Sequence, residues 1–195
     1  MQIAVPPHIK GLVFDLDGTI ADTMPAHYQA WVEAVGEHGV EFPEALFYEF
    51  GGMPTPRIIE VLNDRHNKSM PVMATAMRKE ELFEAHIPDV LPIKEIVDVI
   101  ERYHGKLPLA VATGGMRPVA TKTLQTLKLF DRFDAFVTVE DVAHGKPAPD
   151  TFLEAARRIN VPPGDCMAFE DANLGIQSAT AAGMLVFDVR TLRSA

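Results

Sequence analysis

The feature that most limits the fold is a set of short apolar runs that do not alternate. Gly11–Phe14 (GLVF), Leu107–Ala112 (LPLAVA), Ala135–Val139 (AFVTV), Cys166–Phe169 (CMAF) and Met184–Val189 (MLVFDV) carry β-branched or aromatic residues and are too short for helices. A strand with one wet face alternates apolar and polar residues, whereas a continuous apolar run is covered on both faces, as in a parallel sheet layered by helices. The stretches before and between the later runs have helical spacing: Ile93, Ile96, Val97 and Ile100; Val119, Thr123, Leu124 and Leu127; Phe152, Ala155, Ala156 and Ile159. Asp150 is placed to cap the last of these and Asn160 to end it. Strand and helix in alternation predict right-handed crossovers and an open parallel α/β sheet of about five strands, Rossmann-like, with helices on both faces.

Residues 21–87 break the alternation. They hold helical patterns (Tyr28, Trp31, Val32, Val35; then Val72, Met73, Ala76, Met77) but no convincing strand, and Gly51-Gly52, Pro54 and Pro56 divide them. The chain has 195 residues, close to one domain at roughly 150 residues each. We therefore expect one Rossmann-like core, 1–20 with 88–195, and a small all-α cap, 21–87, inserted after the first strand. Trp31 is expected to pack inside that cap, and Met70, Met73 and Met77 are spaced as the buried face of a cap helix.

Charge narrows the partners. Eighteen Lys and Arg against 27 Asp and Glu leave a net charge of −9, a poor match for nucleic acid or an anionic membrane. A phosphate-bearing small molecule stays possible, because a local cation can override the global field. The single cysteine, Cys166, excludes an internal disulfide framework, fits a reducing compartment, and opens a buried strand as a core residue. MQIAVPPHIK lacks the pattern of a signal peptide, and no run approaches 18 apolar residues, so a cytoplasmic protein is expected.

The acids sit where chemistry is expected. The first run leads into Asp15-Leu16-Asp17-Gly18-Thr19, the second into Thr113-Gly114-Gly115 and the fourth into Glu170-Asp171. In open α/β sheets the ligand crevice lies beyond the carboxyl ends of the strands, so these groups would meet there. Residues i and i+2 of an extended chain share a face, which aligns Asp15 with Asp17. Converging carboxylates repel and raise one another's pKa; a hard divalent cation relieves this, and Mg²⁺ suits an oxygen donor set best. The plainer alternative is that Asp17-Gly18 is a turn and Glu170-Asp171 a helix cap. Lys146, in Gly145-Lys146-Pro147-Ala148-Pro149-Asp150, is either a solvated loop charge or a rigidly held cation that neutralises the cluster and binds a phosphoryl oxygen.

DLDGT at 15–19, Thr113, Lys146 in GKPAPD, and Glu170-Asp171, in that order, resemble the haloacid dehalogenase-like phosphohydrolases over essentially the whole chain. The insertion after the first motif resembles the helical cap of the β-phosphoglucomutase-like subgroup, and GKPAPDTFLEAARRI and FEDANLGIQSATAAG resemble its sugar-phosphate phosphatases, fructose-1-phosphate phosphatase-like proteins included. The resemblance implies Asp15 as nucleophile, taking the phosphoryl group as an aspartyl-phosphate, and Asp17 as general acid and then base, its carbonyl reaching the metal. Thr113 and Gly114 would hydrogen-bond the phosphoryl group, Lys146 would neutralise it, and Glu170 and Asp171 would hold Mg²⁺ with Asp15 and Asp17. These roles are chemically coherent: an anhydride splits one hard step into two, and phosphoryl transfer needs mainly in-line positioning and charge neutralisation. Thr19 would support the turn or one of the aspartates.

Substrate choice falls to the cap, expected to close over the site. By resemblance His27 faces the active site; the alternative is a helix-surface histidine. Arg57, after Gly51-Gly52-Met53-Pro54-Thr55, would pair with the substrate or form a surface ion pair. Arg117, next to the Thr113 motif, and His144 are further candidates. The implied activity is a Mg²⁺-dependent phosphatase of small phosphorylated metabolites, monomeric or weakly homo-oligomeric. The nearest alternative is a sugar-phosphate mutase. A 2-haloacid dehalogenase needs neither Asp17 nor a metal cluster. A phospho-accepting receiver domain shares the parallel sheet and Mg²⁺ but lacks the DLDGT pattern and the insertion.

Overall fold

The computed structural model describes residues 3–51 and 53–192. The chain divides into two compact units, one running to Asp22 and resuming at Val90, the other Thr23–Asp89. The junctions fall two residues after those read from the sequence.

The first unit is built on β1 (Gly11–Phe14) at the centre of a five-stranded parallel sheet. With β4 (Leu109–Ala112), β5 (Ala135–Val137), β6 (Cys166–Glu170) and β7 (Leu185–Asp188) the order is β5-β4-β1-β6-β7. Numbering only these five in chain order gives 3-2-1-4-5. A receiver domain has the order 2-1-3-4-5, so the sheet rules that alternative out. The register sets Leu12 beside Leu109 on one side and Met167 on the other. β1, β4 and β6 are buried residue by residue, which is why their sequences do not alternate.

The two faces of the sheet are packed differently. Val13, Ala110, Ala112, Cys166 and Ala168 meet Phe152, Ala155 and Ala156 of α7 (Asp150–Arg158) and Ala179 of α8 (Asn173–Ala181). Small residues on both sides let these helices lie close to the sheet. The opposite face carries the large side chains, with Phe14 stacked on Phe169 at 4.6 Å between centroids. α5 (Lys94–Tyr103) buries Ile96, Val99 and Ile100, and α6 (Arg117–Thr126) buries Ala120, Thr123 and Leu124. Val99 thus takes the place expected for Val97. Asp150 is not the cap of α7: it is the first helical residue and its carboxylate lies 3.0 Å from His144 Nδ1. Asn160 follows that helix with φ 55°, the left-handed turn expected of it.

A two-residue pairing went unread in the sequence. β2 (Ala21–Asp22) runs antiparallel to β3 (Leu91–Pro92), where the chain leaves and re-enters the sheet unit. Two residues carry no periodicity to detect.

The second unit contains α1 (Met24–Gly36), α2 (Glu44–Glu49), α3 (Thr55–His66) and α4 (Val72–His86). Trp31, Val35, Phe42, Phe47, Phe50, Ile58, Ile59 and Leu62 form its core, with Trp31 stacked on Phe42. The methionine stripe is a correction. Met70 is buried, but Met73 and Met77 are 64% and 63% exposed. The buried face of α4 is Thr75, Ala76, Lys79 and Phe83. The expected stripe lies about one residue out of phase, because the true one includes a lysine that pattern reading assigns to solvent.

Candidate active site

Three adjacent strands end at one place. The N–H of Asp15 donates to the Phe169 carbonyl at 3.0 Å and that of Thr113 to the Val137 carbonyl, so both residues are positioned by the last sheet hydrogen bonds. The chain changes direction between β1 and β6, the point where an open sheet leaves a crevice. Asp15 and Glu170 are 6% and 1% exposed there.

After Asp15 the backbone turns back on itself: the amides of Ile20 and Ala21 both donate to the Leu16 carbonyl. Gly18 has φ 79°, and a Cβ on it would lie 2.2 Å from Asp171 Oδ2. Glycine is therefore required twice, for the backbone and for the approach of the carboxylate. Thr19 Oγ1 reaches Asp171 Oδ1 at 3.4 Å, supporting one of the acids as expected.

Glu170 is held on both carboxylate oxygens. Oε1 accepts the amides of Asp171 and Ala172, each at 2.9 Å, and Oε2 accepts from Lys146 at 2.6 Å. A Cβ on Gly175 would stand 1.8 Å from Oε2, so that helical glycine leaves the space the carboxylate fills. Lys146 also donates to Asp15 Oδ1 at 2.6 Å and lies 4.9 Å from the Phe152 ring centroid. Its loop is tied down by Ser178, whose hydroxyl donates to the Ala148 carbonyl at 2.6 Å.

These contacts make Lys146 a buried cation rather than a solvated one. Burial opposes its charge, but the Asp15 and Glu170 carboxylates outweigh that and hold the ammonium well above its ordinary pKa. Burial raises the Asp15 carboxyl well above its usual range, Glu170 adds to the rise, and Lys146 works against it. Ligand oxygens of Asp15, Glu170 and Asp171 lie within 4.8 Å of one another. Three clustered carboxylates, two of them paired with one buried ammonium, are an excess of negative charge when all are ionised, and the donors are all hard oxygens. That set fits a divalent cation.

Of the expected metal group, the side chain of Asp17 stands outside this trio. Its Oδ2 is 3.6 Å from where a Gly115 Cβ would be, and Thr113 Oγ1 is 3.3 Å from the same point. Asp17 therefore faces the Thr113–Gly115 loop. Thr113 is 1% exposed and accepts the Gly115 amide at 2.9 Å, while Gly114 is exposed.

The remaining candidates have intramolecular partners. The guanidinium of Arg117 donates to Asp141 and lies 5.1 Å from the Phe136 ring centroid. His144 is paired with Asp150. In the helical unit Arg57 is paired with Glu60 at 2.7 Å on an exposed surface, and Gly52 of the preceding loop lies outside the described residues. His27 stacks on Phe83 with 3.7 Å between ring centroids, and its Nδ1 is 2.9 Å from Lys79 Nζ. Lys79 escaped the sequence reading, although its place between Ala76 and Phe83 at helical spacing could have flagged it. Gly175 and Ser178 also escaped, since their roles come from contacts distant in sequence, whereas Glu140 and Asp141 ended the third run as the acids a receiver domain would have needed and instead hold Arg117.

A parallel sheet whose strand ends gather buried carboxylates around a lysine defines a class, and comparison agrees: residues 9–183 match the haloacid dehalogenase-like hydrolases. The chain belongs to that family and is a hydrolase by class. It is 42% identical over 182 residues to fructose-1-phosphate phosphatase YqaB of Escherichia coli (strain K12), spanning 93% of this chain and 97% of that protein. It is 28% identical over 199 residues to beta-phosphoglucomutase of Bacillus subtilis (strain 168), spanning 93% and 83%. The crystal structure of CbbY from Rhodobacter sphaeroides in complex with phosphate matches with a TM-score of 0.79 at 27% identity, covering 91% of this chain and 84% of that one. Among the described residues no helix is long and apolar enough to cross a membrane.

Proposed function

We propose that the protein is a Mg²⁺-dependent phosphatase of small phosphorylated metabolites, with sugar phosphates as the substrate class and fructose 1-phosphate as the first candidate. The observation that carries this is the buried Asp15 carboxylate, held by Lys146 at the end of the central strand beside Glu170. The similarity to a fructose-1-phosphate phosphatase along nearly the whole chain supports the choice of substrate.

In this reading an oxygen of Asp15 attacks phosphorus as the bond to the sugar oxygen breaks. Asp17, protonated, gives its proton to that leaving oxygen. Asp17 then takes a proton from water, whose oxygen attacks the aspartyl-phosphate; inorganic phosphate departs and Asp15 is regenerated. Thr113 and Gly114 hydrogen-bond the phosphoryl oxygens, and Lys146 neutralises them. Asp15, Glu170 and Asp171 are the side chains that would hold Mg²⁺, and the Asp17 backbone carbonyl would join them. When bound, the cation would supply the positive charge that offsets the carboxylates as phosphate enters. His27 and Arg57 of the helical unit are the residues to vary for substrate choice. We take the enzyme to be cytoplasmic, acting without an obligate protein partner.

The test is phosphate release from a panel of sugar phosphates with Mg²⁺, alongside EDTA and Asp15→Asn. Release that disappears in both controls is the expected result. The similarity to a beta-phosphoglucomutase favours one other reading. Conversion of β-glucose 1-phosphate to glucose 6-phosphate under a bisphosphate primer, with no phosphate released, would replace the phosphatase by a mutase.

A further inference from the structure

We propose that the turn Thr138–Asp141 clamps the loop 113–117, with Asp141 and Arg117 as positioning residues for phosphoryl transfer. This rests on the phosphatase reading, in which Thr113 and Gly114 hold the transferring group. Within the loop the Gly115 amide donates to Thr113 Oγ1, but Gly114 and Gly115 carry no side chains and Gly114 is exposed. Its conformation must come from what grips it.

The grip is an array of hydrogen bonds from the segment after β5. The Arg117 amide, first in α6, donates to Glu140 Oε2 at 2.7 Å, so Glu140 supplies the cap that Met116 cannot. The Arg117 guanidinium donates to Asp141 and lies over the Phe136 ring. The Val139 amide donates to the Gly115 carbonyl at 3.4 Å, and the Thr113 amide to the Val137 carbonyl at 3.0 Å. Both ends and the middle of the loop are therefore bound to one short segment.

That segment is itself braced. Thr138 donates through its amide at 2.8 Å and its hydroxyl at 3.0 Å to Asp141, and its hydroxyl also lies 3.0 Å from Glu140. Arg158, from α7, donates to Asp141 Oδ1 at 2.9 Å and to the Phe136 carbonyl at 2.9 Å. Asp141 is thus the shared acceptor of two guanidiniums and the Thr138 amide, only 17% exposed. Burial works to raise its pKa, but these hydrogen bonds pull it down to about 2, so it stays ionised throughout the working range. An ion pair spent in this way does not bind substrate; it fixes where Thr113 and Gly114 point.

The experiment compares wild type with Asp141→Asn, Arg117→Met, Arg117→Lys and the Asp141→Asn/Arg117→Met double variant. Backbone hydrogen exchange at Val139 and Arg117, whose amides bridge the loop and the turn, is measured beside turnover of para-nitrophenyl phosphate, Mg²⁺ half-saturation and melting temperature. Each single variant should speed exchange at those amides about tenfold and lower kcat about 10- to 100-fold, the scale expected of a displacement near 1 Å. KM and Mg²⁺ half-saturation should move less than about threefold, because Asp15, Glu170 and Asp171 lie outside the clamp. The double variant should be no worse than Asp141→Asn alone, since that substitution already weakens the contact that Arg117→Met removes, and Arg117→Lys should recover part of the Arg117→Met loss. Unchanged exchange, additive losses, or faster exchange with kcat preserved would each overturn the proposal. A wild type that releases phosphate from no monoester would instead sink the phosphatase reading; exchange alone would still report whether the clamp exists.

Discussion

Each unit buries a lysine, and the two do so in opposite ways. Lys146 of the sheet unit, its side chain 12% exposed, has two carboxylates at 2.6 Å, each almost fully buried. Lys79 of the helical unit, 4% exposed, has one half-exposed carboxylate, Glu80, at 3.0 Å and the His27 ring at 2.9 Å. It is otherwise enclosed by aromatic faces, with Phe83 and Trp31 centroids 5.2 and 5.9 Å away. The first lysine compensates charge that the fold has concentrated at one place; the second is tolerated by an apolar core through cation–π contact and one hydrogen-bonded ring. Two lysines largely hidden from water are therefore unequal in what their loss would leave behind.

Substitution by methionine should separate them most widely. Lys146→Met leaves Asp15 and Glu170 facing each other without a cation and should cost about 3–5 kcal/mol in denaturant titrations. Lys79→Met leaves Glu80 in contact with water and should cost less than about 1.5 kcal/mol. Equal losses would mean that both lysines are held by the same physics.

Glycine in helices gives a second contrast. Gly→Ala normally stabilises a helix by up to about 1 kcal/mol. Gly36, at the end of α1, has nothing within 4 Å of the place a methyl would take, and Gly36→Ala should follow that rule. Gly175→Ala should reverse it: the methyl would need the space of Glu170 Oε2, which is 1.8 Å away. A stability loss of about 1–3 kcal/mol and Mg²⁺ binding weakened about tenfold are expected, measured by melting with and without the cation. A stabilised Gly175→Ala with unchanged Mg²⁺ binding would show that Glu170 can move aside.

Acid unfolding sharpens the picture of the sheet unit. The Asp141 carboxyl titrates near 3.8 when unconstrained and at about 2 in the fold, burial being outweighed by its hydrogen bonds. The folded state therefore binds this proton less readily, so the contribution to stability is present above about pH 4 and is lost as pH falls toward 2. Asp141→Asn cannot titrate, and its melting temperature should fall less steeply than wild type over that interval. Parallel curves would remove Asp141 from the acid response.

The smallest effect is expected in the helical unit. Met77→Gln and Met73→Gln alter side chains more than 60% exposed and should change stability by less than about 0.5 kcal/mol. Met70→Ala, at 4% exposure, should cost about 2–4 kcal/mol in the same assay. Comparable losses at Met73 would restore the helix phase read from the sequence.

Much of the site was legible because its parts lie in short contiguous motifs at strand ends. Asp15, Thr113 and Glu170 needed only a parallel sheet to stand at neighbouring strand ends, and the non-alternating runs predict that sheet; Lys146, in a loop, is brought in by packing that the runs do not encode. The misreadings share a cause. Val97 in place of Val99, and Met73 and Met77 in place of Thr75 and Lys79, are errors of helix phase, where apolar residues on both sides of a narrow stripe leave its centre ambiguous. Asp150 carries the right chemistry for a cap, but the backbone begins the helix one residue earlier and gives its carboxylate to His144.

The α/β class, the helical insertion and the acidic strand ends can be read from the order of residues alone, because periodicity and residue type are local properties. How the acids are held needed the packed fold: Glu170 lies between a lysine 24 residues away and its own neighbouring amides, in space left by Gly175. It also paired Arg117 with Asp141, again 24 residues distant. Spacing along the chain states what a residue can offer, but its partner is set by how strands and helices pack, and that is a property of the whole fold.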